Sequence, residues 1–260
     1  MSAGEWAGRS LGERRVGYTE RDAILYALSV GARADQLDLV FEDRLRVLPT
    51  FGLTLAQWAP DVLAAAGAFD TRSVHASQRI EVHGPLPRSG ELLLAARVGA
   101  VWDKGSAAIF EIEVRSEQFT AVWTIFAPGQ GGFGGERGPA RPAAVERGEP
   151  RRAALRIAEN QAALYRLTGD RHRIHIDPEA SALIGQPRPI LQGLCTLAAA
   201  TLPLADLLGA HPAELSRLEG RFSAPVLPGD ELEVRSWADG AFQVLRGETV
   251  AIADASVAFG

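Results

Sequence analysis

Alternation of apolar and polar positions marks strands in the first half of the chain. In SAAIFEIEVRS (106–116) the apolar residues fall two apart, and FTAVWTIFA (119–127) is rich in β-branched and aromatic residues. Two other stretches carry apolar and small residues almost throughout: PTFGLTLAQWAPDVLAAAG (49–67) and LCTLAAATLPLADLLGA (194–210). These predict buried helices. The second is interrupted by Pro203 and Asp206 and is too short to span a bilayer. Thr19 with Asp22 three residues on is an approximate capping box and predicts a short helix ahead of the first long one. Residues 128–150, PGQGGFGGERGPARPAAVERGEP, keep neither period and read as a connection. A phosphate-cradling loop is the weaker reading of GQGGFGG, because no GK[ST] follows and no strand-turn-helix frame surrounds it.

The segments on either side of that connection resemble each other. AILYALSVG (23–31) matches AALYRLTGD (162–170), with Leu25-Tyr26 opposite Leu164-Tyr165. The helix at 49–67 matches PILQGLCTLAAATLPLADLLG (189–209), each with a Pro, then Gly-Leu, then small apolar residues. IEVHGPLPRSGELLLAARV (80–98) matches GRFSAPVLPGDELEVRSW (220–237), each a strand, a proline-rich turn and a second strand. Three matches in one order indicate tandem duplication of a unit of about 110 residues. In each unit an apolar helix followed by an antiparallel meander must bury itself against one sheet face, which makes the chain α+β. The duplication places two such sheets side by side. The expected division is a first repeat over 1–128, a connection over 129–150 and a second repeat over 151–260.

Composition narrows the class. The chain has 260 residues, 47% hydrophobic and 23% charged, enough for one large or two modest cores. A net charge of −5 without a basic stripe argues against nucleic acid as a partner. MSAGEWAGRSLGERR lacks the apolar run of a signal peptide. Cys195 is the single cysteine, so no intrachain disulfide can form, and a reducing cytoplasm is the expected compartment.

The densest chemistry lies in YRLTGDRHRIHIDP (165–178). Gly169 ends one helix and Pro178 starts the next, so the stretch between is a loop. Asp170 and His175 are five apart there. A carboxylate beside an imidazole makes a general acid/base pair able to hold one water. A solvated polar loop accounts for the same residues equally well. Asp170, His172, His175 and Asp177 are also potential metal ligands. That reading is the poorest, because no HExxH is present and four ligands from eight consecutive residues are crowded. Asp177 ahead of Pro178 reads more simply as a helix cap. In the first repeat Gln36 falls opposite His175 and Gly31 opposite Asp170, so that repeat lacks the pair. Gly193 stands at the start of the second long helix, where its N–H could meet a developing oxyanion; close packing is the alternative role. Cys195 in the same turn could have a lowered thiol pKa, but a lone cysteine on an apolar helix is more often core.

These residues resemble a known family. YRLTGDRHRIHIDP followed by PRPILQGLCT is similar to the signature of R-specific enoyl-CoA hydratases of the MaoC-like, type 2 class. The likeness extends through YTERDAILYALSVGA, VLPTFG, HGPLP, VWDKGSAA and GGFGG, and so over nearly the whole chain. The resemblance implies a double hot-dog fold, common dimerisation and no metal or other cofactor beyond the thioester substrate. It implies hydration of trans-2-enoyl thioesters to R-3-hydroxyacyl thioesters, or the reverse dehydration. Asp170 and His175 would hold the water against C3 and supply a proton to C2, with the Gly193 N–H on the thioester oxygen. Pantetheine and acyl chain would lie between the repeats, with Arg171, Arg173 and Arg188 available to CoA phosphates. Two positions depart from the pattern: His172 stands where the family has Asn, and Gln192 where it has His. His172 is therefore counted with the site. A dehydratase acting on an acyl-carrier-protein thioester, a hot-dog thioesterase and a non-catalytic acyl-thioester binder are the alternatives.

Overall fold

The computed structural model describes residues 1–140 and 145–260; the expected connection at 129–150 thus lies partly outside the described residues. Among the described residues, ten strands form one antiparallel sheet. Five come from the first half: β1 (Ser10–Tyr18), β2 (Val74–Val82), β3 (Gly90–Asp103), β4 (Ala107–Arg115) and β5 (Phe119–Pro128). Five come from the second: β6 (Arg151–Arg156), β7 (Leu215–Phe222), β8 (Glu231–Ser236), β9 (Ala241–Arg246) and β10 (Thr249–Phe259). Their spatial order is β1-β3-β4-β5-β2-β7-β10-β9-β8-β6. The last five repeat the order of the first five in mirror sequence about the β2–β7 pair. The two sheets therefore fuse edge to edge, with Ile80 opposite Leu218 and Arg79 opposite Glu219. Pairing β2 with β7 satisfies two edges that would otherwise expose their backbone donors and acceptors. This is the double hot-dog architecture.

Strand patterning follows from which face is covered. On β4, Ala108, Phe110, Ile112 and Val114 are all fully buried, two residues apart. On β3, Leu92, Leu94, Ala96 and Val98 are buried while Leu93 between them is exposed.

Among the described residues, seven α-helices complete the fold. α1 (Glu20–Ser29) begins with the expected box: Thr19 and Asp22 cap each other's backbone N–H groups. α2 (Leu37–Val40) is a single turn. The predicted helix over 49–67 is divided into α3 (Phe51–Leu55) and α4 (Trp58–Ala65). Pro60 lies in the first turn of α4, where its missing N–H is tolerated, but it has none to donate to the Ala56 carbonyl, as one unbroken helix would require. After α5 (Gln161–Tyr165) and α6 (Pro178–Leu183) comes α7 (Gly193–Leu208), which stays continuous through Pro203 and ends at left-handed Gly209. α7 packs on β6, β8 and β10, whereas α3 and α4 pack on β1, β4 and β5.

The glycine-rich segment after β5 is built around an internal anion. Asp103, at the end of β3, accepts N–H groups from Gly105 and Gly132 on one carboxylate oxygen and from Gly134 on the other, each at 2.8 Å. Those amides hold its carboxyl below the usual range. Gly132 and Gly134, which a phosphate loop would aim at its ligand, instead bind the protein's own aspartate.

Candidate active site

The segment between α5 and α7 carries the candidate chemistry, and each of its groups is held by an identifiable contact. α5 runs into a 3-10 turn over Arg166–Thr168, and Gly169 follows. A β-carbon on Gly169 would lie 2.7 Å from Thr54 Cγ2, so only glycine fits there. Asp170 comes next. Its Oδ1 accepts the His172 N–H at 3.2 Å, which leaves Oδ2 directed at His175.

His175 closes a 3-10 turn over Arg173–His175 and is 8% exposed. Its Nδ1 lies 2.9 Å from the Ile190 carbonyl, which can only accept. Nδ1 therefore carries the proton, and Nε2 of the neutral ring presents a lone pair. Ile190 in turn donates its N–H to the Ile174 carbonyl, tying the two sides of the loop together. Burial holds His175 below the ordinary imidazole range, against the opposing pull of the Asp170 carboxylate. The ring is thus neutral at neutral pH. Asp170 Oδ2 and His175 Nε2 stand 3.7 Å apart. That is too long for a direct hydrogen bond and suits a shared water donating one O–H to each.

The neighbouring residues divide in two. His172 is exposed, its ring 6.1 Å from that of His175, and its Nδ1 accepts the Ile174 N–H at 3.4 Å. Asp177 caps α6 through the Glu179 N–H and binds Arg173 Nε at 3.0 Å. Arg171 and Arg188 are exposed and have no carboxylate partner among the described residues.

The other wall is the start of α7. Gly193 is the first residue of the helix and half-buried; among the described residues no acceptor takes its N–H. A β-carbon there would lie 3.0 Å from the Phe222 ring. Gly193 thus packs closely against Phe222 while its N–H has no acceptor among the described residues. Gln192 is fully buried, with its amide N–H on the Ala162 carbonyl at 3.2 Å. Cys195 is also fully buried, bonded to Gln161 and to the Ser29 carbonyl. Burial pushes its thiol far up, so it belongs to the core and not to a nucleophile.

Three residues of the first half reach this place without any local signal in the sequence. Thr54 on α3 touches Gly169 as described. Asp61 on α4 keeps an exposed edge, yet partial desolvation and then the charge of Asp170 push its carboxyl up. His75 on β2 packs edge-on to Phe222, ring centres 4.8 Å apart, and burial pushes it down to about 4 while Asp170 pulls the other way. Only the Thr54 contact has a trace in the repeat, where Gly52-Leu53-Thr54 aligns with Gly193-Leu194-Cys195.

The chain is similar in sequence and fold to known proteins. The MaoC like domain matches residues 142–258, and the MFE-2 hydratase 2 N-terminal domain matches residues 17–127. The chain is 39% identical over 241 residues to the enoyl-CoA hydratase ChsH3 of Mycobacterium tuberculosis, covering 86% of this chain and 84% of that protein. It is 37% identical over 238 residues to 3-hydroxyacyl-thioester dehydratase Y of the same organism, covering 85% of this chain and 82% of that one. The MaoC-like dehydratase structure from Phytophthora capsici superposes with a TM-score of 0.87 at 24% identity, over 100% of this chain and 98% of that chain.

Proposed function

The chain belongs to the MaoC-like dehydratase family, and from that premise we propose that Asp170 and His175 carry its hydro-lyase chemistry. The reaction is hydration of enoyl-CoA thioesters to 3-hydroxyacyl thioesters, or the reverse dehydration. The observation that carries the assignment is the opposition of Asp170 Oδ2 and His175 Nε2 across 3.7 Å, with His175 Nδ1 anchored on Ile190. In the hydration direction both atoms accept O–H bonds from one water. Its oxygen attacks C3, the pair takes one proton from it, and the pair gives a proton on to C2, so that OH and H add across the double bond and the pair returns to its starting form. Charge gathers meanwhile on the thioester oxygen, where the Gly193 N–H at the positive end of α7 stabilises it. A neutral imidazole is the form this role requires, and burial supplies it.

The half that lacks the pair is assigned to binding pantetheine and the acyl chain, in a groove against residues 151–260. Arg171 and Arg188 are the arginines available to CoA phosphates, with Arg173 shared with Asp177. His172 flanks the pair and bears on substrate choice. A trans-2 substrate, an R product, a homodimer, a cytoplasmic location and acceptance of carrier-protein thioesters complete the proposal.

The test is a panel of trans-2-enoyl thioesters, followed by loss of their ultraviolet absorbance, with product stereochemistry determined. Turnover to R product is expected, and Asp170→Asn and His175→Gln each abolish it in a folded protein. Retention of full turnover by either variant would overturn the assignment. Release of free thiol in place of hydration would make the protein a thioesterase.

A further inference from the structure

The segment leading into Asp170 and the ring of His175 are anchored on different halves of the chain. His175 is anchored within the second half, through Nδ1 on the Ile190 carbonyl at 2.9 Å. The segment leading into Asp170 is anchored on the first half, at Thr54. Thr54 Oγ1 lies 3.4 Å from the Tyr165 hydroxyl, within hydrogen-bond reach, and Thr54 Cγ2 presses on the bare face of Gly169. Thr54 is 6% exposed and Tyr165 1% exposed, so neither contact is diluted by solvent. Between these two anchor points the chain is short and internally tied: Thr168 Oγ1 donates to the Tyr165 carbonyl at 2.7 Å. Behind Tyr165 stands Tyr26, its counterpart in the repeat, with ring centres 6.0 Å apart. Thr54 therefore bears directly on the residue beside Asp170.

We propose that Thr54, on the half without the acid/base pair, is a positioning residue that sets where Asp170 stands relative to His175. The inference rests on the acid/base reading above. It gives the first half a part in the chemical step in addition to binding. The gap between the pair is then a property of how the two halves dock, and the fused β2–β7 sheet fixes that docking.

The experiment measures kcat, KM, thermal midpoint and the pH profile of kcat for Thr54→Ala, Thr54→Val and Thr54→Ser, on a trans-2-enoyl-CoA. Val keeps the methyl against Gly169 and loses the hydroxyl; Ser does the opposite; Ala loses both. Misplacing a catalytic group by an ångström costs on the order of a hundredfold, so Thr54→Ala is expected to lower kcat by about tenfold to a hundredfold. KM should change by less than about threefold, and Ser and Val should each recover part of kcat. The acid limb of the profile should also move, because the Asp170 carboxylate pulls on His175. Wild-type kcat and profile in a folded Thr54→Ala protein overturn the proposal, as does a loss that follows the thermal midpoint alone. Asp170→Asn is run alongside. If it loses turnover while Thr54→Ala is normal, only the positioning role fails; if it keeps wild-type kcat, the acid/base reading itself fails.

Discussion

Replacing Asp170 by Asn tests the site most directly, because the structure dictates how the amide must sit. Oδ1 accepts the His172 N–H at 3.2 Å, so the amide oxygen keeps that place. The NH2 group then occupies the position of Oδ2 and faces His175 Nε2 across 3.7 Å. In the wild type, a water making two bonds of about 2.8 Å across that gap subtends about 83°, so each bond bends by only about 11° from water's own angle. In the variant one acceptor has become a donor. The water then has a single proton acceptor, and its oxygen is turned away from C3. Loss of a positioned acid/base group is worth about a hundredfold to ten-thousandfold in kcat, or roughly 3–5 kcal/mol of barrier. Stability should hold, since a neutral His175 leaves no buried ion pair to break. The assay is the decay of enoyl absorbance with saturating thioester, beside a thermal melt. The variant's acid limb should also move to lower pH, because the carboxylate that opposes the effect of burial on His175 is gone. A folded Asp170→Asn protein with wild-type kcat would refute the reasoning.

Three further outcomes follow from named contacts. Gly193→Ala and Gly193→Pro both add a β-carbon 3.0 Å from Phe222, but only Pro removes the N–H, and Pro is tolerated at a first helical position. Pro should therefore lower kcat by about a further hundredfold beyond Ala; equal kcat in the two would exclude the amide as a donor. Because burial pushes His75 down to about 4, the folded protein keeps it neutral while the unfolded chain takes up a proton from about pH 6.5 downward. Stability should thus be lost as pH falls from about 6.5 to about 4, and His75→Gln should flatten that decline in pH-dependent melts; an unchanged decline removes His75 as its cause. Cys195→Ala should retain kcat, since the thiol is buried and bonded to Gln161 and Ser29; loss of turnover in a stable variant would revive a nucleophilic role.

Local pattern carried much of the architecture. The period-two run from Ala108 to Val114 became β4, the Thr19/Asp22 box became the start of α1, and Asp177 became the cap of α6. Each of these depends on neighbours within a few residues, where side-chain period and capping chemistry act. The split between α3 and α4 was legible only in part: a proline stood in both long helices, but Pro60 falls in the first turn of a helix while Pro203 sits inside one. The grip of Asp103 on Gly105 matches a short-range Asx turn, but its bonds to Gly132 and Gly134 reach 29 and 31 residues along the chain.

The sequence by itself determined the duplication, the α+β class and the loop that bears Asp170, His172 and His175. Tertiary structure alone decided the fusion of the two sheets at β2–β7 and the 3.7 Å separation of the pair. It also decided the arrival of Thr54, Asp61 and His75 from the other half. The physical reason is range. Periodicity and caps record contacts close along the chain, whereas contacts between the halves, such as Thr54 with Tyr165, join residues more than a hundred positions apart.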